Sequence, residues 1–339
     1  MDAADPIPEL ARQVAQGARR SLARAITLIE SVRADHRAQA VALLEALPKD
    51  RQALRIGLTG TPGVGKSTFI EAFGLMLTEA GLKVAVLAVD PSSTRTGGSI
   101  LGDKTRMEHL ARDPRAFIRA SPSQTQLGGI ARRSREVVAL CEAAGFEVIL
   151  IETVGVGQSE TMVAGISDIF VLLMAPAGGD ELQGVKRGIM ELADLILVNK
   201  ADGDLIAAAT RTCAEYAGAL RLIRPRTGDA PGFPQARLIS ALTRTGLAEV
   251  WQDIQTLAQH RRNAGLWAQN RAAQAQGWFL EEVRHGLLAR LETPQAQVAL
   301  AQLATDVAAG RLTAPLAAAK FLAQGFLARL PLDAAGKSA

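Results

Sequence analysis

Between Leu54 and Trp251 the chain alternates short unbroken apolar runs with longer stretches in which apolar residues recur every three or four positions. The runs are Leu54 to Leu58, Val84 to Val89, Val148 to Ile151, Ile169 to Met174, Leu195 to Val198, and Leu238-Ile239. A strand that is apolar at every position is covered on both faces, as in a parallel sheet flanked by helices. The expected fold is therefore α/β, a doubly wound and mostly parallel sheet. Ahead of it, residues 8 to 47 predict two helices, with Leu22, Ile26 and Ile29 on one face and Val41, Leu44 and Leu47 on the next, closed by Pro48. Beyond Trp251 the spacing is helical throughout, through Trp278, Phe279, Val283 and Leu287, then Leu300, Leu303 and Val307, then Leu316, Leu322 and Phe326. Arg224 to Pro234, with three prolines and two glycines, reads as a loop, and Asp333 to Ala339 as a frayed end.

Candidate chemistry begins where the first apolar run stops. Gly60-Thr61-Pro62-Gly63-Val64-Gly65-Lys66-Ser67, continued by Thr68, is a G-x-x-x-x-G-K-S phosphate loop between a predicted strand and a segment of helical spacing, the context this motif requires. Its glycines let backbone N–H groups converge on phosphate oxygens, and the helix N-terminus adds partial positive charge. Lys66 is expected to reach the β and γ phosphates and the Ser67 hydroxyl to coordinate Mg2+. Far downstream, Asn199-Lys200-Ala201-Asp202 follows the run Leu195 to Val198. A single carboxylate, Asp202, can accept from guanine N1–H and the exocyclic amino group together, as a charge-assisted bidentate pair. Adenine cannot satisfy it, and a buried carboxylate left unpaired is costly, so GTP is expected and ATP rejected. Asn199 is expected to tie this loop to the phosphate loop, and the aliphatic stem of Lys200 to lie over the purine.

Three acids fall at or after the C-terminal ends of predicted strands, where a doubly wound sheet places its ligand. Asp90 closes one strand in Val89-Asp90-Pro91-Ser92-Ser93, Asp103 follows in Gly102-Asp103-Lys104-Thr105-Arg106, and Glu152 opens Glu152-Thr153-Val154-Gly155-Val156-Gly157-Gln158-Ser159-Glu160. Glu152 stands where many GTPases carry the Asp of D-x-x-G, which puts Gly155 in reach of the γ-phosphate. Strand-end acids also serve as plain helix caps. Their convergence with Ser67 on one sheet edge favours a shell around Mg2+, a cation that takes few direct carboxylates and keeps its waters. Gly155 is followed by Val156, with Gln158 only later, so no Gln stands in place to orient an attacking water. Slow intrinsic turnover is expected.

Composition narrows the picture without redirecting it. The 339 residues are 48% hydrophobic, enough for one large α/β core with appended helices. With 38 Lys+Arg against 34 Asp+Glu the net charge is +4, too balanced to argue for nucleic acid. No apolar run approaches the roughly 18 residues of a membrane span, and the acidic start lacks a secretory pattern, so a cytoplasmic protein without membrane contact is expected. Cys141 and Cys213 each stand alone in helix-like stretches, which suggests neither a disulfide framework nor a zinc site. His36, His109, His260 and His285 are scattered and read as surface or cap residues.

The phosphate loop, the segments around Asp90, Asp103 and Glu152, Gly179-Asp180-Glu181-Leu182-Gln183-Gly184, and Asn199-Lys200-Ala201-Asp202 together resemble the methylmalonyl-CoA mutase-associated GTPases, the chaperones of cobalamin enzymes. The resemblance implies a homodimeric, Mg2+-dependent GTPase that loads adenosylcobalamin into an acyl-CoA mutase, rejects inactive cofactor and protects the enzyme. By position, Asp90, Asp103 and Glu152 match the family's metal-side acids and Asp202 its base reader. Ser240-Ala241-Leu242 matches the second guanine loop. Residues 175 to 190, including Lys186, match a mobile third switch that meets the mutase; mutase binding is expected to fold this loop over the phosphates and to place Lys186 near the developing charge or in the contact that transmits it. The implied organisation is a helical arm over 1–50, a P-loop GTPase domain over 51–262, a helical dimerisation region over 263–332 and a tail over 333–339. The engagement of an adenosyltransferase stays open. So do two other readings, a GTPase that inserts a different metal cofactor and a kinase linked to amino-acid transport; the first would normally carry a His-rich or Cys/His tract.

Overall fold

The computed structural model describes residues 6–31, 33–89, 107–120, 127–153, 159–176, 187–223, 226 and 228–323. Seven strands form one sheet: β1 (Leu54–Thr59), β2 (Val84–Val89), β3 (Ala116–Ala120), β4 (Val148–Thr153), β5 (Ile169–Met174), β6 (Leu195–Val198) and β7 (Gln235–Leu238). Their order is β3-β2-β4-β1-β5-β6-β7 and every neighbouring pair is parallel. β1, β2, β4, β5 and β6 are buried at every position; β2, β5 and β6 are apolar throughout, whereas β1 also buries Arg55 and Thr59 and β4 buries Glu152 and Thr153. The flanking helices are α4 (Lys66–Glu79), α5 (Glu108–Arg112), α6 (Leu127–Ala143), α7 (Ser159–Ala164), α8 (Arg187–Leu192), α9 (Ile206–Leu222) and α10 (Leu247–Asn263). Phe69 and Phe73 of α4 stack at 5.1 Å, and Phe73 meets Trp251 of α10 edge-on at 6.2 Å, joining two helices over one face of the sheet.

Two strands depart from the sequence expectation, and both lie at sheet edges. β3 reads Ala-Phe-Ile-Arg-Ala, too short and mixed to stand out as an apolar run. β7 occupies Gln235–Leu238 rather than Leu238-Ile239, and its half-exposed, alternating residues are those of an edge strand. Ile239 still donates its N–H to Val198 O at 2.9 Å, which extends the pairing by one bond.

The segment before β1 forms three helices, α1 (Pro6–Ala15), α2 (Arg19–Glu30) and α3 (Ala34–Ala46), instead of two. Gly17, left-handed at φ +78°, ends the first of them and donates to Val14 O, a break that apolar spacing alone does not reveal. On α2 the buried face is the expected one, but α3 buries Ala40, Leu43 and Leu47 while Val41 is exposed. Leu47, just past the end of α3, is buried as expected, while packing turns Ala40 and Leu43 inward in place of Val41 and Leu44. These helices are tied to the core by long basic side chains: Arg37 of α3 bonds Glu136 at 2.5 Å, and Arg51, ahead of β1, donates to Ala15 O of α1 and to Ala143 O, each at 2.7 Å.

The amino ends of the strands carry a buried ionic network. Asp168, just before β5, accepts from Arg55 N at 2.9 Å and Arg271 Nη2 at 2.6 Å, and Glu142 accepts from Arg55 Nη2 at 2.7 Å and Arg271 Nη1 at 3.3 Å. Asp194, just before β6, accepts from Phe170 N at 2.9 Å, Arg226 Nη2 at 2.7 Å and Arg261 Nη2 at 2.6 Å. The guanidiniums of Arg262 and Arg271 both lie over the Trp267 ring, 4.4 and 4.6 Å from its centre. Asp194→Ala leaves two half-sheltered guanidiniums facing a hole. It is expected to cost about 3–5 kcal/mol, read as a lowered urea midpoint; an unchanged midpoint would show that solvent screens the pair.

The chain divides into two compact units, Met1–Gln274 and Ala275–Ala339. Arg271 and Gln274, on helix α11 (Leu266–Leu291), are bonded into the first unit, the latter donating to Ser167 O at 3.0 Å. The second unit holds the remainder of α11 with α12 (Pro294–Ala308) and α13 (Ala314–Ala323). Thr293 caps α12 by accepting from Ala296 N, and Ala296, Ala317 and Phe321 are buried. Phe326 and residues 333–339 lie outside the described residues.

Candidate nucleotide site

The loop Gly60–Gly65 joins the end of the central strand β1 to the start of α4, so any ligand it holds faces the amino end of that helix. Two glycines are obligatory for distinct reasons. A Cβ on Gly60 would come within 2.3 Å of Leu173 O, because the loop leaves β1 against β5. Gly65 has φ +89°, and a Cβ there would stand 2.7 Å from Asn199 Nδ2. Val64 is buried, whereas Pro62, Gly63 and Thr68 are exposed and Thr61 and Ser67 are half-buried.

Lys66 turns its ammonium back onto the loop, donating to Gly60 O at 2.5 Å and Thr61 O at 3.4 Å. Burial lowers its pKa, opposed by the negative charges of Glu152 and Glu160. Glu152 and Glu160 are both 3% exposed. Glu152 sits near the end of β4, level with Leu58 of β1 and Ala88 of β2, which puts a carboxylate beside the start of the phosphate loop. Glu160 lies in the first turn of α7, and no spacing rule singles it out, since only the folding of α7 onto β1 and β4 buries it near Lys66. Thr59 and Thr153 bridge β1 and β4 at this end through their hydroxyls, 2.9 Å apart.

Asn199 fastens three segments together. Its Nδ2 donates to Val64 O at 2.9 Å, its Oδ1 accepts from Ala241 N at 3.0 Å, and its own N–H donates to Met174 O at 2.8 Å. Lys200 takes the left-handed conformation, φ 58°, to turn the chain out of β6, and Ala201 N donates to Ile239 O at 3.0 Å. The Asp202 carboxylate accepts a short hydrogen bond from the fully buried Ser240 hydroxyl, which also accepts from Thr243 N at 3.2 Å. Ser240–Leu242 therefore meets Asn199 and Asp202, as the two ends of one pocket wall, and Leu242 stands 78% exposed at its rim. Asp90, Asp103, Gly155 and Lys186 lie outside the described residues, as does most of 175–190. Among the described residues no group of three or more His, Cys, Asp or Glu side chains could hold a metal ion. Cys141 is buried and its thiol pKa is pushed up by burial, which makes it inert.

The family model described as methylmalonyl Co-A mutase-associated GTPase MeaB matches residues 22–296. The chain belongs to this family of GTPases. A Mycobacterium tuberculosis protein named as a GTPase is 51% identical over 320 residues, covering 94% of this chain and 95% of the relative. The mouse protein named methylmalonic aciduria type A homolog, mitochondrial, is 45% identical over 326 residues, 93% of this chain and 78% of the relative. GTPase ArgK of Escherichia coli K12 is 47% identical over 286 residues, 84% and 86% of the two chains. A solved structure titled LAO/AO transport system kinase superposes with a TM-score of 0.72 at 36% identity, covering 96% of this chain and 99% of that one. The all-parallel sheet with flanking helices is thus the P-loop GTPase fold, and GTP and GDP are the family's ligands.

Gly65→Ala is expected to weaken binding of a fluorescent GDP analogue by tenfold or more, since a left-handed alanine strained by about 1–3 kcal/mol would also push Asn199 off Val64 O. Wild-type affinity in this variant would show that the loop re-forms without the Asn199 bond.

Proposed function

We propose that this GTPase gates the loading of adenosylcobalamin into a cobalamin-dependent acyl-CoA mutase and protects the loaded enzyme. The observation that supports a GTP-driven gate is the Asn199 bridge, which joins the phosphate loop to the segment carrying Asp202 and to Ser240-Ala241-Leu242, so that phosphate and base ends of a nucleotide would be sensed by one rigid unit. The family match and the methylmalonic aciduria relatives support the mutase as client.

In this reading the backbone of Gly60–Gly65 and the amino end of α4 bind the phosphates. Lys66 exchanges its bonds to Gly60 O and Thr61 O for β and γ phosphate oxygens, and Asp202 reads guanine with Lys200 over the purine. The Ser67 hydroxyl and the Glu152 carboxylate are hard oxygen donors on one edge of the sheet, the donor type that Mg2+ takes, and they would hold it with Asp90 and Asp103. When bound, Mg2+ supplies charge neutralisation between β and γ phosphates. Gly155 and Lys186 act on the γ-phosphate side. The exposed row Phe279, Leu280, Val283, Leu287 and Leu288 on α11 supports a homodimer through the second unit. No helix among the described residues is long and apolar enough to cross a membrane, which is consistent with a cytoplasmic chaperone. The test is co-elution of the purified chain with methylmalonyl-CoA mutase in GDP and in a non-hydrolysable GTP analogue. A nucleotide-dependent complex is expected; no complex in either state would overturn the proposal.

A further inference from the structure

Beside the ends of β2 and β3, on the arm side of the sheet, a cavity of about 20 Å3 is lined by Glu30, Arg119, Arg133 and Ser134 together with Leu87, Ala88, Val89 and Val137. Three separate elements bring charge to it: Glu30 ends α2, Arg119 lies on β3 and Arg133 on α6. Arg119 and Glu30 pair with each other through a short Nη2 contact. Arg133 is only 8% exposed, and among the described residues it donates one hydrogen bond, from Nη2 to Ser31 O at 3.1 Å. Its Nε and Nη1 are buried and meet no acceptor among the described residues. Burial lowers the Arg133 pKa, with Arg132 and Arg37 adding to it and Glu136 and Glu30 opposing it. Arg37, Arg119, Arg132 and Arg133 thus share the carboxylates of Glu30 and Glu136, and a buried guanidinium with idle donors is strongly unfavourable.

We propose that this cavity binds one halide-sized monovalent anion, held by Arg133 Nε and Nη1. The space open to a water-sized probe suits a small monovalent anion such as chloride. A water there would accept from Arg133 but would turn its own hydrogens toward apolar walls and an already paired carboxylate. A halide has no hydrogens to place, and it cancels the surplus charge. Bound there, the anion fastens the end of α2 to β3 and α6, which makes the docking of the arm chloride-dependent.

Bromide soaked into crystals of the unmodified chain is expected to give an anomalous peak beside Arg133 Nε and Nη1. In solution, replacing gluconate by chloride at constant ionic strength should raise the unfolding midpoint by about 2 °C at tenfold saturation of the site. Arg133→Gln should abolish the shift, and Glu30→Gln, which withdraws the competing carboxylate, should enlarge it. An ordered water without anomalous signal, equal wild-type midpoints in the two salts, or an undiminished shift in Arg133→Gln would overturn the assignment. The crystal measurement does not depend on either variant folding.

Discussion

Asp202→Asn is expected to weaken GTP binding by about 100-fold or more and to favour xanthosine triphosphate, while the wild type prefers GTP to ATP by at least about 100-fold. The magnitude follows from the pair that is lost: a bidentate charged contact whose removal leaves buried donors unmatched is worth on the order of 3 kcal/mol. An amide at 202 would instead suit the carbonyl that replaces the amino group in xanthine. The Ser240 hydroxyl, buried and bonded to the Asp202 carboxylate, fixes that side chain before any base arrives, so little ordering remains to be done on binding. Calorimetry of the four nucleotide and protein combinations decides it. Equal ATP and GTP affinities in the wild type would end the guanine assignment, and unchanged GTP affinity in the variant would remove Asp202 from it.

The parts of this fold that sequence reveals are those where one local pattern has a single physical outcome. Strands buried on both faces carry mostly apolar residues, and β2, β5 and β6, apolar throughout, span the residues that the runs predict. β3 and β7 escaped or shifted because an edge strand needs cover on fewer sides and so carries a weaker pattern. The phase of α3 was not legible either, since Val41-Leu44 and Ala40-Leu43 are both spaced by three and only contact with α1 and α2 chooses between them. At the site, Asn199 is legible because a motif names it, and its bond to Val64 O gives the motif a mechanical meaning. Glu160 and the Ser240–Asp202 bond were not legible as contacts, because each joins segments whose distance along the chain says nothing about their distance in space. The ionic network of Arg55, Glu142, Asp168, Asp194, Arg226, Arg261 and Arg271 is likewise invisible in the sequence, where these residues are ordinary surface-type charges.

Adding a cobalamin-dependent acyl-CoA mutase is expected to accelerate GTP hydrolysis by about 10³- to 10⁵-fold, or roughly 4 to 7 kcal/mol of barrier. The isolated chain is expected to turn over slowly for two reasons. The position after Gly155 is Val156, so no Gln orients the attacking water. In addition, the Lys66 ammonium is already engaged by Gly60 O and Thr61 O, bonds that must be exchanged before it can neutralise charge between phosphates. A partner that orders a switch over the phosphates supplies what is missing at once, positioning and positive charge in a site closed to water. β5 ends at the same edge of the sheet as β1 and the phosphate loop; the glycine-rich sequence that continues from it, Pro176 to Lys186, ends in a cation and, under the proposed function, is the segment on which a bound mutase would act. Steady-state phosphate release by the wild type and by Lys186→Ala, each with and without mutase, separates the components. Stimulation of the wild type with most of it lost in Lys186→Ala is the expected result. Equal stimulation of both proteins would remove Lys186 alone from the mechanism, and no stimulation of the wild type by any such mutase would sink the chaperone reading while leaving the guanine assignment at Asp202 intact.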